Sequence, residues 1–119
     1  MEAWFRNAIT GPDQLRQRMA YALSQILVVS DANGPVEVEP RAVAAYYDLL
    51  INGAFGNYRS LLGQITRNPT MGGYLSMRGN RAPDPVTNTR PDENFAREIM
   101  QLFSIGLVNL NTDGTPVLV

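Results

Sequence analysis

Between Asp92 and Gln101 the sequence concentrates side chains able to bind ligands or move protons: Asp92, Glu93, Asn94, Arg97, Glu98 and Gln101. At about 100° of rotation per residue, Glu93, Asn94, Arg97, Gln101 and Ser104 share one arc of a helix, and Phe95, Ile99, Leu102 and Phe103 share the other. Glu93 precedes Arg97 by four residues, the favourable order for a helical ion pair. A solvated helix face explains this arc most simply. Glu98 stands apart from it, between Leu102 and Ile105 at the margin of the apolar side. Arg16 is a matching oddity, between Leu23 and Leu27, while Gln14, Gln17, Tyr21 and Gln25 take the polar side of an earlier helix. Charges in apolar interfaces are costly unless paired. Arg16 is therefore predicted to face a carboxylate of the last helix, Glu98 first and Glu93 second. Such a pair serves either as a strut that fixes helix register or as one wall of a polar pocket. In the pocket, Arg16 or Arg97 holds an anion, Asn94 and Gln101 add ligand contacts, and Glu98 or Glu93 acts as acid or base.

The chain contains neither histidine nor cysteine. It cannot by itself build a Ser-His-Asp triad, a Cys-His pair, a thiolate zinc site or a disulfide. Carboxylate, hydroxyl, amide and guanidinium chemistry remain. Asn109, Asn111, Asp113 and Gly114 have the spacing of part of an EF-hand calcium loop, but Asn replaces Asp at the first position and Pro116 falls inside. A hairpin turn accounts for them better, and neither a metal nor a cofactor is expected. Arg78, Arg81 and Arg90 give one segment local positive charge without a glycine-rich phosphate cradle or interleaved aromatics.

All ten basic residues are arginine, and with eleven acidic residues they leave a net charge of -1. The basic excess of a nucleic-acid binder is missing. With 119 residues, 45% of them hydrophobic and 18% charged, the chain suits one globular segment rather than a disordered one. Its longest strongly apolar run, Ile26 to Val29, is too short to cross a membrane, and its first residues do not form a leader.

The elements that must position these side chains are mostly helical. Glu2 to Asn7 reads as the end of a helix that begins earlier, carrying Trp4 and Phe5. Thr10 to Asp13 starts the next helix, which is predicted to run to about Ser30 with Leu15, Met19, Ala22, Leu23 and Ile26 on its buried face. Asp31, Ala32, Asn33, Gly34 and Pro35 stop it. A helix over 40–53 buries Val43, Tyr47, Leu50, Ile51 and Ala54, with Arg41, Asp48 and Asn52 opposite. Tyr58, Leu61, Leu62 and Ile65 mark a short helix ended by Asn68 and Pro69, and 70–77 adds a turn or two. A long Pro/Arg loop covers 78–91. The last helix starts near Pro91 and ends at Gly106, and Asp113-Gly114 signals a short C-terminal β-hairpin. The expected fold is all-α, with four to five helices. Residues 1–119 read as one segment of a larger helical domain, cut at both ends.

Three runs carry a family resemblance: Asp13 to Gln25, Tyr46 to Leu50 with Ala54 to Arg59, and Pro91 to Phe103. Their sequence and order resemble the bacterial domain-of-unknown-function 1800 family, from about Asp13 to Gly114. The resemblance implies a long, mostly helical, often exported protein whose activity is not established, hence a periplasmic or extracellular location. It places Glu93, Asn94, Arg97 and Glu98 in the most recognisable family motif, and Gln14 to Arg18 in the second. Some relatives continue the last helix with Glu-Leu-His-Thr, where this chain reads Gln101, Leu102, Phe103 and Ser104. A mechanism resting on that histidine cannot operate here. Two readings remain: a structural or binding segment that packs against the remainder of its chain or another ligand, and part of a hydrolase-like enzyme with an Arg/Glu/Asn pocket.

Overall fold

A computed structural model describes residues 2–30 and 40–117, apart from the side chains of Ala3, Trp4 and Pro40. The stop signal at Asp31 to Pro35, the Trp4 side chain and the last two residues of the expected hairpin lie outside the described residues. Among the described residues six α-helices follow one another: α1 Glu2–Thr10, α2 Gln14–Ile26, α3 Pro40–Gly53, α4 Tyr58–Ile65, α5 Pro69–Tyr74 and α6 Asn94–Met100. A π-helical turn, Gln101–Ile105, continues α6. Among the described residues there is no strand, and the fold is all-α. The chain divides into two compact units, Met1–Tyr74 and Leu75–Val119.

In the first unit α3 is the central element. It spans the predicted 40–53 and contributes Tyr46 and Leu50 to a core completed by Ala20 and Leu27 of and just after α2, Leu61 and Ile65 of α4, and Met71 of α5. Asn57 caps α4 by accepting the Ser60 N–H, so the short helix starts with one of its orphan donors satisfied. Gly53 lets α4 come close: a Cβ there would meet Leu61 Cδ1 at 2.7 Å. The Thr70 hydroxyl donates to the Ala42 carbonyl and ties α5 to α3. The buried Tyr46 hydroxyl donates to the Leu27 carbonyl at 2.7 Å, closing the end of α2 onto α3. Burial, assisted by nearby Tyr47 and Tyr58, holds that phenol well above the ordinary tyrosine range.

The expected inner face of α2 is corrected. Gln17, Ala20, Ser24 and Leu27 face inward, whereas Leu15 is 72% exposed, Ile26 is 50% exposed, and Met19 and Ala22 are also exposed. Leu23 is half-buried between the two arcs. Small residues explain the rotation: Ala20 and Ser24 let α2 approach α3 closely enough to bury both the Tyr46 ring and Leu27. Buried polar groups on this face are partly served locally. Ser24 Oγ donates to the Tyr21 carbonyl, and Gln17 Nε2 donates to Asp13 Oδ2, leaving Gln17 Oε1 buried without a partner among the described residues. The helix ends at Ile26, four residues short of the predicted stop.

The second unit is held by turns more than by a core. Asn80 closes the base of the Pro/Arg loop, its amide donating to the Asp92 carbonyl and its carbonyl oxygen accepting the Asp92 N–H. Asp84 and Thr89 exchange two backbone hydrogen bonds farther out. The last helix begins at Asn94, later than Pro91. Its π-helical turn is sealed by Ser104 Oγ, which donates to the Ile99 and Met100 carbonyls at 2.7 and 3.0 Å. Widening the turn changes the helical phase. Phe103 is buried, whereas Leu102, expected beside it, is 61% exposed. Gly106 ends the turn at a φ of 75°, a left-handed backbone that glycine adopts without strain. Beyond it, Leu110 and Pro116 form one antiparallel bridge, with Asn111 N–H bonded to the Thr115 carbonyl and Val117 N–H to the Asn109 carbonyl.

Candidate functional site

The predicted site residues divide among three local environments. Glu93, Arg97 and Gln101, on successive turns, line a shallow groove of the second unit with Ala96, Met100, Gly106 and Leu107. Glu93 and Arg97 form the expected ion pair, with both side chains more than half exposed. Gln101 donates its N–H to the Arg97 and Glu98 carbonyls where the helix widens, which sets its side chain on the same groove. This groove can hold a ligand through a carboxylate, a guanidinium and an amide. Glu93 would have to leave Arg97 before serving as a free base.

Glu98 does not line that groove. Its side chain is half-buried, and Oε2 is shut off from solvent with no hydrogen-bond partner among the described residues. A carboxylate oxygen without a donor is an unmet electrostatic demand. Asn94, half-buried, begins α6, and its N–H is taken by Asp92 Oδ1 in a local turn.

Arg16 occupies the third environment, in the first unit. Its Nη1 donates to the Ile51 carbonyl at 3.1 Å, and its guanidinium carbon lies 5.0 Å from the centre of the Phe55 ring. Among the described residues the Ile51 carbonyl, near the C-terminal end of α3, otherwise accepts only a long 3.4 Å bond from the Ala54 N–H, so a cation there strengthens its pairing and meets the negative end of the helix dipole. Arg16 thereby ties the start of α2 to the end of α3. It also lines a shallow groove with Gly11, Pro12, Asp13, Gln14, Leu15 and Phe55. Sequence patterning could not find this partner, because a backbone carbonyl leaves no residue signature. The proposed partner, Glu98, belongs to the other unit.

The turns are ordered by carboxylates that play no part in these grooves. Asp84 accepts from the Val86 N–H and the Thr87 hydroxyl, and Asp113 accepts from the Thr115 N–H and hydroxyl. These hydrogen bonds, the Thr87 and Thr115 contacts first, hold both carboxyls below the usual aspartate value. Asp113 thus belongs to a hairpin turn, and among the described residues no group of three or more acidic side chains could hold a metal ion.

Compared with known families, the sequence matches over residues 1–114 the model described as protein of unknown function (DUF1800). The chain belongs to this family. The match includes α1, which the resemblance seen in the sequence did not reach. No curated protein and no solved structure matches the chain. Residues 93–101 of the matched span thus supply an exposed ion pair, a groove-lining amide and a half-buried carboxylate, while α2 supplies the Arg16 tie. Among the described residues no helix is long and apolar enough to cross a membrane.

Proposed function

We propose that this DUF1800 segment is a helix-docking element of a longer, exported bacterial protein, a structural or binding part rather than a catalytic one. The carrying observation is the orientation of α2: Leu15, Met19, Ala22 and Ile26 form an outward stripe at helical spacing while the opposite, smaller face packs on α3. Fully burying a Leu, Ile or Met side chain is worth about 1.5–3 kcal/mol each, so covering this stripe supplies a substantial driving force. The occupant is an amphipathic helix from the remainder of the full-length protein, its apolar seam packed along the stripe. A net charge of -1, without a basic excess, agrees with a protein partner rather than a nucleic acid.

The test compares Leu15→Ser/Ile26→Ser in two contexts. In the isolated 119-residue chain the double variant is expected to keep its thermal midpoint within a few degrees. In the full-length protein it is expected to lower the midpoint clearly and open new sites to limited proteolysis. Equal, large destabilisation in both contexts would mean that the stripe is already buried within the segment, and the reading would fail.

A further inference from the structure

We infer that the helix docking on α2 is acidic, with carboxylates beside its apolar seam where it crosses the first two turns of α2. This inference rests on the docking reading above and adds the chemistry of the occupant. On the α2 wheel, Arg18 borders one edge of the Leu15–Met19–Ala22–Ile26 stripe, and Leu23 and Arg16 border the other. Both arginines fall in the N-terminal half of the helix, and α2 carries no acidic residue. Of the nearby acids, Glu2 pairs with Arg6, and Asp13, hydrogen-bonded to the Gln17 amide, lies on the opposite side of the wheel from the stripe. Arg16 is anchored to the Ile51 carbonyl, so it contributes fixed positive charge more than a free fork. Arg18 is exposed and has no ion pair among the described residues. Its aliphatic stem can cover the seam while its guanidinium receives a carboxylate in two-pronged fashion.

The positive end of the α2 dipole lies in the same place, offset in part by the Asp13 carboxylate at the N-cap, so Arg18 is the main source of positive charge beside the stripe. The same charges disfavour a second copy of α2 on the stripe. Two such helices packed face to face would bring arginines and uncharged residues together, with no acid to meet them.

Two synthetic helical peptides with identical leucine seams, one flanked by glutamates and one by lysines, provide the probe. Binding to the 119-residue chain is followed by fluorescence anisotropy at low salt. The glutamate peptide is expected to bind about tenfold or more tightly than the lysine peptide, with the difference shrinking as salt rises. Arg18→Glu is expected to erase or reverse the preference, and Leu15→Ser/Ile26→Ser to abolish binding of both. Equal binding of the two peptides, lost in the stripe variant, would overturn the acidic partner while leaving helix docking standing. Binding unaffected by the stripe variant, or no binding of either peptide, would overturn the inference at its base. So would a dimer of the chain by sedimentation that disappears in the stripe variant, since a second copy would then occupy the face.

Discussion

The two units are stabilised in different ways. Met1–Tyr74 is organised around α3, with Tyr46, Leu50, Leu27, Ile65 and Met71 fully buried. Leu75–Val119 buries Leu75 and Phe103 and otherwise relies on hydrogen-bonded turns at Asn80, Asp84, Ser104 and Asp113. The first unit should therefore respond to lost volume, the second to lost hydrogen bonds. The candidate site residues follow this division: Arg16 of α2 sits against a packed helix end, whereas Glu93, Arg97 and Gln101, in and beside α6, sit on an open groove.

Removing volume from the first unit should have the largest effect. Leu50→Ala is expected to cost about 2–5 kcal/mol, measured by chemical denaturation, because the residue is completely buried in the last turn of α3, the central helix of this unit. Tyr46→Phe should cost about 1–3 kcal/mol, since it strips the Leu27 carbonyl of its buried donor. The phenol gives this variant a pH signature as well. Its folded pKa is raised, so the folded chain binds that proton more tightly than the unfolded chain does. The stabilisation is complete below the ordinary tyrosine value of 10.0 and lost as pH rises beyond it, and Tyr46→Phe should flatten that alkaline decline. A steep decline that persists in the variant would assign it to other groups.

The turns of the second unit should respond more modestly and locally. Asn80→Ala is expected to cost about 1 kcal/mol and to accelerate amide exchange at Asp92, with little change in the exchange of α3. Asp84 and Asp113 have lowered folded pKa values, so their turns are supported above the usual aspartate value of 3.8 and loosen as pH falls through the folded values. Asp84→Asn should remove the acid-induced change in the chemical shifts of Val86 and Thr87. The smallest effect belongs to Glu93→Gln, which breaks an exposed ion pair with Arg97 and should cost only about 0.3–0.5 kcal/mol. A loss as large as that of Leu50→Ala would show that the open groove is a structural centre after all.

Much of the helical framework was legible in the sequence because local chemistry fixes it. Pro40 and Gly53 bound α3, Tyr58 to Ile65 form the short α4, and Gly106 supplies the left-handed backbone that ends the π-helical turn. The Glu93–Arg97 pair followed from helical spacing alone. What patterning missed depends on contacts made between elements. Counting apolar residues selects Leu15, Met19 and Ile26 as the inner face of α2, but the close approach permitted by Ala20 and Ser24 and the reach of Tyr46 select the opposite arc. A uniform rotation per residue likewise misplaced Leu102, because Ser104 and the widened turn shift the phase after Met100.

Single cysteines test the orientation of α2 most directly, because the chain has none of its own. Leu15→Cys and Ser24→Cys place thiols on opposite faces of the helix, and their reaction rates with a thiol reagent report which face is open. In the 119-residue chain, Cys at the Leu15 position should react much faster than Cys at the Ser24 position; in the longer protein proposed above the Leu15 site should become protected. Equal rates at the two positions, or faster reaction at the Ser24 position, would contradict the orientation on which the docking surface depends.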